Sequence, residues 1–138
     1  MKMGFEGLAY YGVAGTTATT LISNRRDITF DNDPQMAPTT VAGAGTTPPI
    51  ECEAVATRKW SCTLNMPHST SDAVLEALRV AAAAGNAVAL RLKSYASGKG
   101  YDGDVNVKES FNGPMNGEQV YSFTLTPNNL LRAPSLYV

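Results

Sequence analysis

Hydrophobic and polar side chains alternate along residues 51–66 more regularly than elsewhere in the chain. Even positions are mostly apolar and odd positions mostly polar, and only Val55 and Arg58 break the alternation. A period of two is typical of a β-strand that buries one face. This segment is far longer than the usual strand of about 5–6 residues. We therefore expect it to bend, to bulge or to extend beyond a single small sheet.

Several shorter segments also have the composition or the alternation of strands, and turn-forming residues separate them. The first of them is interrupted by glycine, and the second places Ile28 and Phe30 on one face. The predicted strands are residues 5–12, 21–30, 87–95, 104–111 and 118–126.

One segment, residues 72–84, has the periodicity of an amphipathic helix. Its apolar positions are Val74, Leu75, Leu78, Ala81 and Ala82. Asp72 lies in the predicted first turn, and Gly85 suits the position after the last turn. The candidate N-caps are Ser69, Thr70 and Ser71. Strands with turns between them and one helix predict a single domain, residues 1–138, built as a mainly β antiparallel sandwich or barrel with one flanking helix.

Residues 31–49 contain four prolines and two glycines and have no period of 2 or 3.6. We expect a long protruding loop there. Such loops are uncommon in compact domains and are usually functional or disordered. A floppy insertion and an arm that orders on a partner are both open interpretations.

The composition changes this picture in one respect, because charged residues make up only 17% of the chain and the net charge is −1. The average soluble domain has about 25% charged residues. The near-neutral balance excludes a strongly basic duplex-DNA clamp and an acidic disordered tail. Low charge also suggests that some surface is hidden in an assembly.

No constellation of residues predicts catalysis, a metal or a cofactor. The one histidine, His68, lies in a predicted loop, and no Gly-x-Ser-x-Gly pattern accompanies it. Residues 102–106 are similar to the start of a calcium loop, but Val107 stands where that loop needs glycine. Residues 98–100 lack the upstream glycine of a phosphate-binding loop. Both glycine-rich stretches are better interpreted as hairpin turns.

The two cysteines, Cys52 and Cys62, fall on the predicted long strand and would lie about 33 Å apart there. A disulfide requires Cα atoms within about 7 Å. We expect two reduced thiols in the core of a cytosolically made protein. No apolar run approaches the ~20 residues of a membrane span, and the first residues lack the apolar region of a signal peptide.

Three stretches stand at junctions between the predicted elements: residues 27–30 (Asp-Ile-Thr-Phe), 60–64 (Trp-Ser-Cys-Thr-Leu) and 83–90 (Ala-Ala-Gly-Asn-Ala-Val-Ala-Leu). They resemble, in turn, the strand before the long loop, the strand before the helix and the helix–glycine–strand junction of one family. That family is the major tail tube proteins of long-tailed bacteriophages and gene-transfer agents. The order of elements over about residues 5–130 also resembles that family.

The resemblance implies a structural, non-enzymatic subunit of a virion tail, with no cofactor, that forms hexameric rings stacked into a hollow tube for DNA. It also implies assembly in the host cytoplasm without a membrane. The implied partners are further copies of the chain, a tape-measure protein, a tail terminator and distal tail or baseplate proteins, with DNA as non-specific cargo.

Two groups of candidate residues follow from the resemblance. Contacts between subunits or rings would come from the predicted loop, at Asp31, Asp33, Pro34, Gln35, Met36, Pro38, Val41, Pro48 and Pro49. The candidate lumen-facing residues are Glu51, Glu53, Thr57, Lys59, Ser61 and Thr63.

Two alternatives stay open. The first is another ring-forming tube or virion component, such as a secretion-tube subunit or a tail terminator. The second is a carbohydrate- or peptide-binding β-sandwich with Trp60 or Tyr101 as a stacking platform. The alternation places Trp60 on the apolar face of its strand, which favours core packing.

Overall fold

The structure, a computed structural model, describes residues 1–41 and 48–138. The described chain forms seven strands and one helix after a short 3₁₀ turn at Gly4–Glu6. The elements are β1 (Leu8–Val13), β2 (Thr20–Leu21), β3 (Ile28–Pro38), β4 (Glu53–Pro67), α1 (Ala73–Ala84), β5 (Val88–Lys93), β6 (Asp102–Asn112) and β7 (Val120–Asn128). The predicted mainly β antiparallel fold with one flanking helix is confirmed.

All seven strands belong to one antiparallel sheet with the order β2-β1-β5-β6-β7-β4-β3. A flat sheet would separate its outermost strands by about 29 Å, from six spacings of ~4.8 Å. The connection from Leu21 to Ile28 spans at most about 24 Å even when fully extended. The sheet is therefore curled, and Phe30 of β3 comes within 6.2 Å, centroid to centroid, of Tyr101 just before β6.

The curled sheet and α1 enclose one hydrophobic core. The alternation predicted for the long strand holds from Trp60 onward, because Trp60, Cys62, Leu64 and Met66 are all buried. The other large contributors are Leu75, Leu78, Leu90, Leu92, Tyr101, Val105, Tyr121, Phe123 and Leu125.

Helix α1 begins one residue later than predicted, and its cap is a different residue. The carboxylate of Asp72 accepts hydrogen bonds from the backbone N–H groups of Val74 and Leu75, which makes Asp72 the N-cap in place of Ser69, Thr70 or Ser71. Gly85 ends the helix with φ of 73°, in the left-handed region that favours glycine.

The second predicted strand and the predicted loop are divided differently in the structure. Residues 21–30 are not one strand, since β2 ends at Leu21 and β3 begins at Ile28. Strand β3 then continues through residues 31–38, where a loop was expected. The cause is pairing with a distant segment of the chain. Every residue of β3 has a partner in β4, between Leu64 and Glu53, so residues 31–38 are extended although their side chains do not alternate. Residues 42–47 of the predicted loop lie outside the described residues.

Candidate assembly surface

The outer halves of β3 and β4 form a two-stranded arm, which we define as residues 31–38 and 53–59. Strand β4 pairs with β7 only from Cys62 to Pro67, so the nine residues before Cys62 have β3 as their only strand partner in the described chain. At about 3.3 Å per residue the arm extends about 30 Å beyond that pairing. The rest of the described chain, which we call the body, is compact, and a compact domain of this chain length has a radius of gyration of about 14 Å. The arm is thus long enough to reach a neighbouring molecule.

The free edge of β3 is blunted by prolines. The N–H of Thr39 donates to the carbonyl of Cys52 (2.9 Å), so odd-numbered residues of β3 direct their N–H groups toward β4. Pro34 and Pro38 therefore stand where the missing N–H would point away from the sheet. This is where an edge strand tolerates proline, and it obstructs the addition of another strand.

A β-bulge divides the arm into two parts. Gln35 and Met36 are consecutive in β3, but their partners Thr57 and Val55 are separated by Ala56. Ala56 is the extra residue, and beyond it the alternation of β4 is reversed. The bulge explains why Val55 breaks the alternation of the sequence: it lies opposite Met36.

Directly opposed residues share a face of a two-stranded sheet, so the register defines two surfaces on the arm. The polar face combines Asp31, Asp33 and Gln35 with their partners Ser61, Lys59 and Thr57, and Thr63 continues it toward the body. The tip face, beyond the bulge and on the opposite side, combines Met36 and Pro38 with Val55 and Glu53. Met36 and Val55 are 51% and 53% exposed.

The candidate lumen-facing residues are thereby divided. Thr57, Lys59, Ser61 and Thr63 lie together on the polar face, whereas Glu53 lies on the tip face and Glu51 precedes the strand. The candidate contact residues are divided as well. Asp31, Asp33 and Gln35 lie on the polar face, and Met36 and Pro38 on the tip face, while Pro34 pairs with Arg58 below the bulge. Val41, Pro48 and Pro49 are exposed at the end of the arm.

A cavity of about 800 Å³, which we call the root cavity, opens where the arm leaves the body. Its apolar lining includes Phe30, Leu92 and Leu136. Its charged lining residues are Arg25, Arg26, Asp27, Lys93 and Lys99. The alternation pattern could not reveal this cavity, because its residues come from separate segments that only the curl of the sheet brings together.

Three aromatic rings pack at the root of the arm. The ring centroid of Trp60 lies 3.9 Å from that of Tyr101 and 5.5 Å from that of Phe30. Trp60 is 5% exposed and Tyr101 2% exposed, so neither ring presents an open face for a sugar or a peptide. The core placement predicted for Trp60 is therefore found, and the stacking platform of the alternative function is not.

The two cysteines differ in environment, and the expectation of two core thiols is wrong for Cys52. Cys52 is exposed because it precedes β4 at the outer end of the arm, whereas Cys62 is fully buried. Both are free thiols. Burial, with a smaller contribution from the charge of Asp31, raises the pKa of the Cys62 thiol from its ordinary value of 9.0 to about 12.

The acidic residues after Tyr101 have a structural role. Asp104 is 1% exposed, and its carboxylate accepts hydrogen bonds from the N–H of Gly15 (3.0 and 3.1 Å) and from Arg132 (3.4 Å). Arg132 also contacts Asp102 at 3.0 Å. These bonds fasten the C-terminal segment to the sheet.

The Tyr101 phenol also lies in this region. Burial raises its pKa; the charge of Arg132 opposes this rise, and the charge of Asp104 adds to it.

The described residues contain no cluster of three or more His, Cys, Asp or Glu side chains that could hold a metal ion. His68 is exposed, and its backbone N–H donates to the carbonyl of Gln119. Within the same residues, no helix has both the length and the apolar character needed to cross a bilayer.

Comparison with known proteins assigns the fold. The sequence matches no protein-family model and no curated protein. The structure, however, superimposes over all of its residues on a chain from the tail of an empty gene transfer agent particle with C6 symmetry (TM-score 0.77, 15% identity, full coverage of both chains). A chain from the virion of a native gene transfer agent particle gives a TM-score of 0.74 at 14% identity, again with full coverage of both chains.

The SPP1 tail tube gives a TM-score of 0.69 at 10% identity, over 91% of this chain and 75% of that one. The curled antiparallel sheet with one helix is therefore a fold that this chain shares with chains of gene transfer agent particles and of a phage tail tube. More specifically, this chain has the fold of the SPP1 tail tube and of the gene transfer agent tail, as the resemblance in its sequence predicted.

Proposed function

We propose that this protein is the structural subunit of a tail tube, in which hexameric rings stack into a hollow tube that conducts DNA. The observation that carries the proposal is the fold match over the whole chain to a tail of C6 symmetry. The arm supports it independently. An exposed two-stranded extension about 23 Å long is costly to leave unpartnered in a monomer, and it is long enough to bridge copies.

The arm also suggests how the copies associate. A projection on one side of a subunit that meets a different surface of the next makes a heterologous contact, which closes into a ring when the rotation per subunit is right. Six copies close a ring of C6 symmetry. In this proposal the contacts within and between rings are made by the arms, and the role is structural, without catalysis.

The polar face is the part of the arm best suited to a lumen. Thr57, Ser61 and Thr63 are uncharged, and Lys59 lies opposite Asp33. Duplex DNA binds tightly where several Lys or Arg side chains neutralise phosphates. A surface of hydroxyl groups with two aspartates and one lysine has a net charge of −1 and makes few such contacts, so DNA can slide past it. We propose that a tape-measure protein fills the lumen before the DNA does, and that it too contacts this polar face.

Other partners follow from the same role. A tube of this kind ends at a tail terminator on one side and at distal tail or baseplate proteins on the other, and we propose that it is assembled in the host cytoplasm before it joins the virion.

Electron microscopy of the purified protein tests the proposal. We expect rings or tubes roughly 10 nm wide, a scale set by six domains of this size in a ring. Single rings that never elongate would favour a terminator, and strictly monomeric protein at high concentration would overturn the proposal.

Removal of the arm tip sharpens the test. Replacing residues 36–56 with Asn-Gly closes the hairpin at the Gln35–Thr57 pair with a favoured two-residue turn. Because the buried part of β4 begins at Trp60, we expect the body to fold with unchanged Trp60 fluorescence. Tube formation should be lost. Normal tubes from this variant would remove the arm from the mechanism.

A further inference from the structure

We propose that the tip face of one copy docks into the root cavity of the next copy, with Glu53 against Lys93, Lys99 and Arg25. This inference rests on the proposed function and specifies its contact. The tip face presents Met36 and Val55 beside one carboxylate, and the root cavity presents an apolar lining beside several cations.

Three of the four cations that line the root cavity have no acidic partner within the described residues. Arg26 pairs with Glu118, but Arg25, Lys93 and Lys99 form no ion pair within the described residues. Asp27 is the one carboxylate among the described lining residues. The cavity is therefore net basic, and it is open at the root of the arm.

The arm has the complementary charge. Its two strands carry three acidic side chains (Asp31, Asp33 and Glu53) and two basic ones (Arg58 and Lys59), and Glu51 adds a fourth carboxylate just before β4, for a net charge of −2. None of the four carboxylates forms an ion pair within the described residues. The Ala56 bulge places one of them, Glu53, on the same face as the exposed apolar pair.

A second groove fits the tip face less well. It lies beside α1, has about 860 Å³, and is lined by apolar residues that include Val80, Leu130 and Leu131. Its charged lining residues are Glu76 and Asp104, which already pair with Arg79 and Arg132. Among its described lining residues this groove offers Glu53 no cation, whereas the root cavity offers several, so charge complementarity selects the root cavity.

The prolines of β3 determine the manner of contact. Pro34 and Pro38 obstruct the addition of a strand along the outer half of the arm, so the arm binds through a face instead of through its edge. Pro38, the partner of Glu53, is six residues along β3 from Asn32, which lines the cavity, so the tip lies about 20 Å from the cavity of its own copy and the extended arm cannot bend back into it. The contact is head to tail, and each copy both donates a tip and offers a cavity.

Charge reversal tests the pairing. We expect Glu53→Lys, and separately Lys93→Glu with Lys99→Glu, to raise the protein concentration needed for assembly at least about tenfold. Combining the three substitutions should restore assembly to near the level of the unmodified chain. Lys108→Glu is the matched control, since Lys108 is exposed on β6 and lies outside both cavities. Equal losses in the single and combined variants would overturn the pairing.

A disulfide tests the geometry without removing any arm residue. Cys52 is a native exposed thiol beside Glu53, and Lys99→Cys adds a second thiol at the root cavity. Under mild oxidation we expect a reducible ladder of covalent oligomers, because each head-to-tail contact joins Cys52 to position 99 of the next copy. The Lys108→Cys control should give no ladder. Rings or tubes that form without a ladder would overturn this inference alone, whereas unmodified protein that forms neither would overturn the proposed function.

Discussion

Trp60 packs against Tyr101 with their ring centroids 3.9 Å apart, and this contact fixes the root of the arm. Trp60 is the first buried residue of β4 when the strand is followed inward from the arm, and Tyr101 immediately precedes β6. The Tyr101 hydroxyl donates to the carbonyl of Asp104 at 3.2 Å, which holds the ring in place. The direction of the arm is thus set by core packing.

Trp60→Ala should lower the free energy of unfolding by about 3–5 kcal/mol, because it removes a buried aromatic ring and leaves a cavity. Urea unfolding followed by far-UV circular dichroism measures the loss. Tyr137→Ala is the control: Tyr137 is 78% exposed, so its removal should change stability by less than about 0.5 kcal/mol. Similar losses in the two variants would contradict the role of Trp60.

Asp104→Asn should lower the free energy of unfolding by about 2–3 kcal/mol, since it weakens the buried hydrogen bonds to Gly15 and Arg132. We also expect faster amide exchange at Ser135 and Val138, whose N–H groups donate to Asp102 and Gly100. Unchanged exchange at both positions would show that Asp104 does not fasten the C-terminal segment.

The sequence predicts the body of this fold well because the body obeys local rules. Alternation marks Trp60 to Met66 correctly, since one side of β4 faces the core there. Helical spacing and Gly85 locate α1 to within one residue of its start. Where alternate residues of a strand are buried, apolar and polar residues alternate in the sequence, and the strand can be predicted.

The arm and the root cavity cannot be predicted from the alternation of apolar and polar residues, for physical reasons. Both faces of the arm are exposed in the single chain, so residues 31–38 have no burial pattern that would mark a strand. The bulge at Ala56 then reverses the faces of β4, which moves Glu53 away from Thr57. The root cavity depends on the curl of the whole sheet, which no local period encodes.

Replacing Pro34 and Pro38 with threonine should promote edge-to-edge association, because it restores two outward N–H groups on β3. We expect faster formation of thioflavin-binding aggregates at concentrations below those that give tubes. The control carries threonine at Pro48 and Pro49, which lie outside any strand. Equal aggregation rates in the two variants would show that the prolines do not protect the edge.

Gly85→Ala should destabilise the protein by about 1 kcal/mol, since alanine is strained at φ of 73°. A Cβ at this position meets no atom within 4 Å, so the cost is one of backbone conformation alone. Gly85→Asn should lose less, because asparagine adopts the left-handed region more readily. Thermal unfolding of the two variants makes the comparison, and a greater loss with asparagine would contradict it.

Stability should fall above pH 9 in a way that depends on Cys62. Burial raises the pKa of this thiol to about 12, while in the unfolded chain it titrates near 9.0. Below pH 9 both states hold the proton, and the thiol adds no pH dependence. Between pH 9 and 12 the unfolded state has lost the proton that the folded state keeps, so the free energy of unfolding falls by up to about 1.4 kcal/mol per pH unit.

Cys62→Ala removes this dependence, although it also lowers stability at every pH by leaving a small cavity. Urea unfolding of both proteins at pH 8, 9 and 10, with a reducing agent present, should show the unmodified chain losing more stability than the variant between pH 9 and 10. Cys52 is exposed and present in both proteins, so it cancels from the comparison. Tyr101 is also common to both, and its phenol ordinarily titrates near 10.0, at the upper limit of this range. Parallel pH profiles would mean that the Cys62 thiol ionises as readily in the folded core as in the unfolded chain.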